Sequence, residues 1–234
     1  SWKLTQSAID YASNLGEEIA RLNGFTAPPV DPFKVLAAEK RWIQPFAADF
    51  GDAFDGRLEY QRPQFLLFYN TKYDRYPHDG AHHPKVRFTI GHELGHYFLD
   101  EHREYLIRGG AAHRSFAEFT ADPVVERQAD GFAGGLLLPR YLLGPIVNRY
   151  PAPTLKTILA LKKRFDVSLI SMMVRWVQVS DFPCAVVSCR DGAIQWGFVS
   201  EGFRRHGACR VRRGQRVESR DAKAFWTGDP ACAS

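Results

Sequence analysis

"RFTIGHELGHYFLDEH", residues 87–102, decides the reading of this chain. Its two histidines, His92 and His96, lie four residues apart, and Glu93 directly follows the first. Four residues advance an α-helix by about one turn, so both imidazoles leave one face and reach a single ion. Neutral imidazole nitrogens suit zinc, at bond lengths of about 2.0–2.1 Å. On a helix of about 3.6 residues per turn, Glu93 is rotated by roughly 100° from His92. It therefore stands beside the ion without ligating it, placed to take a proton from a bound water. Gly95, with no Cβ, lets another segment approach the helix closely.

Two imidazoles need a third protein ligand if a fourth position is to stay open for water. "VERQAD", residues 125–130, offers one. Asp122-Pro123 marks a helix start, an N-cap followed by proline at the first helical position. Glu126 falls near the beginning of that helix, and Asp130 lies one turn on, on the same face. Glu126 is the expected third ligand. Asp130 is expected to accept the free ring N–H of a ligand histidine and so fix its tautomer. The plain alternative is a helix that merely carries two histidines. It explains neither Glu93 nor the Glu-x-x-x-Asp helix downstream, and a structural zinc would be closed by four ligands, often cysteines.

"RFTIGHELGHYFL" followed by "VERQADGFAGGLLLP" resembles the ImmA/IrrE family of metallopeptidases. The second signature is carried by Ala129, Asp130, Phe132, Ala133, Leu136, Leu137 and Pro139. "APPVDPFKVLAAE", the strand ending in Asn70, and "LKKRFDVSLISMMVR" are also similar to the family, so the resemblance covers roughly residues 25–180. It implies a compact zincin-like fold of gluzincin type, α+β in class. It further implies a zinc-dependent endopeptidase in which His92, His96 and Glu126 hold the metal and Glu93 is the general base. The expected target is a helix-turn-helix transcriptional repressor, cut in a stress or mobile-element response. Family members often carry Glu where Gln128 stands; two residues from Glu126, that position faces elsewhere and is not expected to ligate. Manganese is the expected substitute for zinc in vitro, because two imidazoles and a carboxylate discriminate poorly between such ions.

Outward from these motifs, Ile9, Ala12, Leu15, Ile19 and Leu22 repeat at helical spacing, and Asn23-Gly24 stops the helix. Asp31-Pro32 opens a second helix. Residues 57–61 and 64–70 read as strands rich in Phe, Leu and Tyr, the second a substrate-binding edge, a core strand, or both. A long loop is expected between the motif helices, from about residue 101 to 121. His113, Tyr97 and Tyr105 are open candidates to stabilise an oxyanion. His78, His82 and His83 are expected to be solvated loop residues. Two helices joined at Phe165-Asp166-Val167 scan like a helix-turn-helix, with Ser168 as N-cap. The second starts Leu169-Ile170-Ser171-Met172-Met173, too apolar for a base-reading helix and suited to packing. "CAVVSCRDGAIQWGFVS", residues 184–200, is a hairpin about Asp191-Gly192.

The expected organisation is a peptidase domain over 1–150, a helix-turn-helix-like segment over 151–180, and a basic β-rich extension over 181–234. The 234 residues carry a net charge of +5. Part of the excess sits in "GFRRHGACRVRRGQRVESR", where Arg204, Arg205, Arg210, Arg212, Arg213, Arg216 and Arg220 suit a repressor, weak contact with DNA, or plain solvation. Cys184, Cys189, Cys209 and Cys232 lack zinc-ribbon spacing and are too few for a secreted disulfide framework. No apolar run approaches the roughly 20 residues that span a bilayer. Residues 1–16 lack a basic segment leading into an apolar one, so neither membrane nor signal peptide is expected. The chain opens at Ser1 without methionine and is read as part of a longer product, cytoplasmic in location.

Overall fold

The computed structural model describes residues 2–109, 113–115, 123–149, 154–206 and 211–217, with backbone alone for 2–5, 113–115, 123 and 206. Asp122, Cys209, Cys232, Arg210 and Arg220 lie outside the described residues, as does the side chain of His113. Two compact units divide the chain: residues 1–143 with 155–172, and residues 144–154 with 173–234. The mixture of helices and small sheets is α+β.

The first unit opens with α1 (Trp2–Leu22), which ends at Gly24 in the left-handed region, φ 79°. Asp31 caps α2 (Pro32–Ala38) by accepting from the Phe33 amide at 2.9 Å. A four-stranded sheet follows, in the order β1-β3-β2-β4, from β1 (Ile43–Ala48), β2 (Gly56–Gln61), β3 (Gln64–Asn70) and β4 (His113–Ser115). β1 runs parallel to β3, and the other pairs are antiparallel. Of the two roles open to residues 64–70, the core strand holds: β3 is hydrogen-bonded on both sides, and Leu67 is fully buried. Asn70, 2% exposed, ends β3 by tying down the loop that leads into β2. It accepts from the amides of Phe50 and Lys72 and donates to the carbonyls of Gly51 and Phe54.

α3 (Pro84–Phe98) carries the two-histidine motif. Its N-cap is His83, whose ring nitrogen accepts from the Lys85 amide at 3.2 Å. The expected long loop is corrected here. A helix, α4 (Asp100–Ile107), begins two residues after α3 ends, and β4 follows. Asp100 and Glu101 favour its first turn through the helix dipole, while His102 and Leu106, four apart, bury one face.

α5 (Pro123–Leu137) lies between α1 and α3, and small residues set the spacing. On the α3 side, a Cβ at Gly95 would lie 3.1 Å from the Cα of Ala129, and one at Gly91 3.2 Å from the Cβ of Ala133. On the α1 side, a Cβ at Gly16 would meet the carbonyl of Phe132, and one at Gly135 the carbonyl of Ser13. Phe132 fills the core between these seams, fully buried and stacked on Phe98 with ring centroids 5.7 Å apart. α6 (Arg140–Val147) follows directly.

α7 (Leu155–Phe165) and α8 (Leu169–Val179) meet at Asp166, which takes a left-handed φ of 54°. Ser168 caps α8, accepting from the Ser171 amide at 3.0 Å. Val167, Met172 and Trp176 are buried, so this pair spends its apolar face on packing. The same turn anchors α3: Arg87, only 6% exposed, donates to the Asp166 carbonyl at 3.0 Å and the Val30 carbonyl at 2.6 Å, and pairs with the Asp166 carboxylate at 3.2 Å. In the second unit, β5 (Ala185–Arg190) and β6 (Ala193–Val199) form the expected hairpin, with Asp191 and Gly192 both at positive φ, and α9 (Glu201–His206) follows.

Candidate metal centre

His92 and His96 leave the same face of α3, and α5 brings Glu126 against them. The His92 and His96 Nε2 atoms are 3.1 Å apart. Glu126 Oε2 lies 3.2 Å from His92 Nε2, and its Oε1 lies 3.6 Å from His96 Nε2. Donors about 2.0–2.1 Å from one ion at tetrahedral angles stand about 3.3–3.4 Å from each other. The observed separations lie near those values, with a different Glu126 oxygen nearest each histidine, so the donor set can hold a divalent ion of zinc's size. Among the described residues this is the cluster of metal-ligating side chains whose donor atoms converge, all within 4.8 Å of one another.

The ring orientations also suit ligation. Asp130 Oδ1 is 2.8 Å from His92 Nδ1, so the carboxylate accepts that N–H and leaves Nε2 facing Glu126. The local field favours positive charge. Burial disfavours a charged His92, but the hydrogen bonds to Asp130 and Glu126 and the nearby charges of Asp130 and Glu93 outweigh it, and its pKa is pushed up to about 10.

Glu93 is fully buried beside His92 and outside the triangle, as its helix angle requires. The sheet makes room for it. A Cβ at Gly56, the first residue of β2, would lie 2.6 Å from Glu93 Oε1 and 2.6 Å from the Thr89 methyl. No sequence pattern near Gly56 signals this; it shows only once β2 crosses α3.

His102 was not singled out in the sequence, yet it completes the centre. Its Nδ1 is 3.0 Å from His96 Nδ1, and its Nε2 is 3.2 Å from Gln128 Oε1. On one continuous helix, residues six apart point roughly 120° away from each other. The extended backbone of Leu99 (φ −75°, ψ 113°) breaks α3 from α4 and folds His102 back onto His96.

The remaining candidates have other partners. Tyr97 donates to Glu39 Oε2 at 2.9 Å and is held there; burial raises the pKa of its phenol, and the Glu39 contact raises it further. Tyr105 is half exposed on α4. His82 stacks on Phe33 with centroids 4.0 Å apart and bonds Asp74 at 2.8 Å. With His83 capping α3, both histidines have structural partners while staying partly exposed in the loop before that helix.

A family model described as an IrrE N-terminal-like domain, Peptidase_M78, matches residues 77–176. No curated protein matches. A solved Mycobacterium tuberculosis transcriptional regulator shares the fold with a TM-score of 0.54 at 15% identity, over 80% of this chain and 54% of that one. The chain thus spans about half the length of that regulator. The matched span contains α3, α4 and α5, with every side chain of the histidine–glutamate triangle and of its hydrogen-bonded surroundings. Over residues 77–176 the chain is thus similar to the IrrE N-terminal-like family.

Proposed function

We propose that this chain is a zinc-dependent endopeptidase, of zincin-like gluzincin type, that cleaves a helix-turn-helix transcriptional repressor and so relieves repression in a stress or mobile-element response. The observation that carries the peptidase reading is the triangle of His92, His96 and Glu126 with a fully buried Glu93 beside it and outside it. A structural zinc site has no use for that carboxylate. A zinc ion held by His92, His96 and Glu126 would supply Lewis acidity, easing deprotonation of water and polarising the scissile carbonyl. Glu93 accepts the proton of the attacking water and returns it to the leaving amine nitrogen, as the carbonyl carbon gains oxygen and loses nitrogen. Asp130 keeps the His92 ring turned toward the triangle, and Glu126 balances the charge.

The test is Glu93→Gln. Zinc content should stay at the wild-type level while cleavage of the repressor falls by about 10²–10⁴, the usual worth of a general base. Wild-type cleavage by this variant would remove Glu93 from the role. Loss of zinc from His92→Ala is the matching control for the ligand assignment.

A second reading is a regulator that keeps the zinc site but sequesters the repressor or binds DNA without cutting. The similarity to a transcriptional regulator and the paired helices α7 and α8 favour keeping it in view. The three functional regions proposed are the peptidase over 1–150, the helical segment over 151–180 and the basic extension over 181–234. Arg204, Arg205, Arg212, Arg213 and Arg216 belong to the extension, and Arg204 and Arg205 both pair with Glu201. Reversing the charge of Arg212 and Arg213 separates the partners. If they recruit the repressor, cleavage of the whole repressor slows while that of a short peptide across its cut site does not. If they contact DNA, the salt dependence of duplex binding flattens by nearly one log–log unit per lost phosphate contact. No change in either assay makes them a solvated surface. A cytoplasmic setting is part of the proposal, since four cysteines are too few for a secreted disulfide framework. No helix among the described residues is long and apolar enough to cross a membrane.

A further inference from the structure

His96 and His102 are both almost fully sealed from solvent, at 0% and 4% exposure, and their Nδ1 atoms face each other at 3.0 Å. Two ring nitrogens at that distance share one proton: one is the donor, the other the acceptor. Which is which decides whether His96 can ligate. If His96 Nδ1 carries the proton, its Nε2 lone pair faces the triangle. If His102 Nδ1 carries it, His96 must be protonated on Nε2 instead, and that nitrogen cannot bind a metal. The far end of the pair breaks the symmetry. Gln128 turns its carbonyl oxygen, an obligate acceptor, to His102 Nε2 at 3.2 Å.

From this arrangement we propose that His102 and Gln128 are positioning residues for the metal centre. Gln128 Oε1 accepts from His102 Nε2–H, His102 Nδ1 therefore accepts from His96 Nδ1–H, and the His96 Nε2 lone pair is left pointing at Glu126 and His92. The two ligand histidines are thus set in the same tautomer by different acceptors: a half-exposed carboxylate, Asp130, for His92, and a buried imidazole backed by an amide for His96. Gln128 sits two residues after Glu126, so α5 supplies both the third ligand and the residue that orients the second. A residue with an acceptor oxygen at 128 preserves the chain of donors, whether amide or carboxylate; a residue without one lets the shared proton reverse.

This inference rests on the metal-centre reading, and two measurements keep their failures apart. Zinc affinity is measured by chelator competition on the full chain. Gln128→Leu and His102→Phe should each weaken it by about 10–100-fold, the usual cost of losing a partner behind a ligand histidine. Gln128→Glu, which keeps the acceptor, should stay near wild type. The second readout needs no metal. In the 15N-labelled protein the His102 ring should carry its proton on Nε2, with Nδ1 bare, and Gln128→Leu should scramble that assignment. Wild-type zinc affinity in Gln128→Leu, or a His102 ring protonated on Nδ1 and bare on Nε2, overturns the relay. Absence of zinc binding by the wild type overturns the metal centre instead, and the His102 tautomer then decides the relay alone. Gln128 is only partly buried, so Gln128→Leu reads the relay without emptying the core if His102→Phe fails to fold.

Discussion

Gly95→Ala tests whether the spacing of two helices sets the metal affinity. The added methyl would lie 3.1 Å from the Cα of Ala129, 3.2 Å from its carbonyl oxygen and 3.2 Å from the Cβ of Phe132. Two of those three neighbours are α5 backbone, so relief comes by moving α5 away from α3 by a few tenths of an ångström. Glu126 travels with α5, while His92 and His96 stay on α3. Metal sites tolerate errors of about 0.2 Å in ligand distance, so the triangle opens beyond its tolerance. Overpacking costs about 1–3 kcal/mol, and alanine in place of glycine inside a helix returns about 0.5–1 kcal/mol. The net expectation is a loss of about 0–2.5 kcal/mol of stability. Zinc affinity should fall about tenfold, equivalent to about 1.4 kcal/mol. Gly134→Ala on α5 is the internal control. Its new methyl meets nothing within 4 Å, so it should gain the helix-propensity term and leave affinity untouched. Thermal melts of the metal-free proteins and chelator competition measure both quantities. A Gly95→Ala protein that binds zinc like wild type would show that helix spacing does not control the centre.

Gly56→Ala places a methyl 2.6 Å from Glu93 Oε1, so cleavage should fall by one to two orders of magnitude, about 10–100-fold, with zinc content unchanged; kinetics and elemental analysis separate the two. The His92 ring gives a pH dependence. Its pKa rises from 6.5 to about 10 in the metal-free centre, so the bound proton stabilises that form fully below 6.5, and this contribution is lost as pH climbs toward 10. The melting temperature of the metal-free protein should therefore fall over that window. Zinc displaces the same proton, so its apparent affinity should rise by about tenfold per pH unit near neutrality; a flat profile would assign the proton elsewhere.

Most of the centre was legible because its signals are periodic. His92, His96, Glu126 and Asp130 are each one turn from a partner, and helical spacing alone puts them on common faces. The hairpin about Asp191-Gly192 and the caps at Asp31 and Ser168 were legible because turn chemistry is local. What stayed hidden depends on breaks and crossings. His102 stands at a spacing that points it away from His96 on any straight helix, and only the extended Leu99 corrects that. β1 escaped notice because Pro45 interrupts its pattern; as an edge strand it tolerates the missing donor. α4 is eight residues long, too short for its periodicity to stand out beside a polar run. Gly56 serves a carboxylate on another element, which no one-dimensional pattern records.

The grip of Asp166 on Arg87 has a consequence for the order in which the molecule is made. The two residues are 79 positions apart. A ribosome adding about 5–20 residues per second needs about 4–16 seconds to cover that stretch. For most of that interval the nascent chain holds both histidines and, later, Glu126, but the guanidinium near the start of their helix lacks the Asp166 carboxylate. Burying it then would cost several kcal/mol, as for any unpaired charge. Until the α7–α8 turn is made, Arg87 has the Val30 carbonyl and the nearby Asp31 charge but not Asp166, so the seat of α3 is expected to be weaker over that interval. A chain stopped before residue 166 is therefore expected to hold the metal-bearing helix less firmly than the finished one.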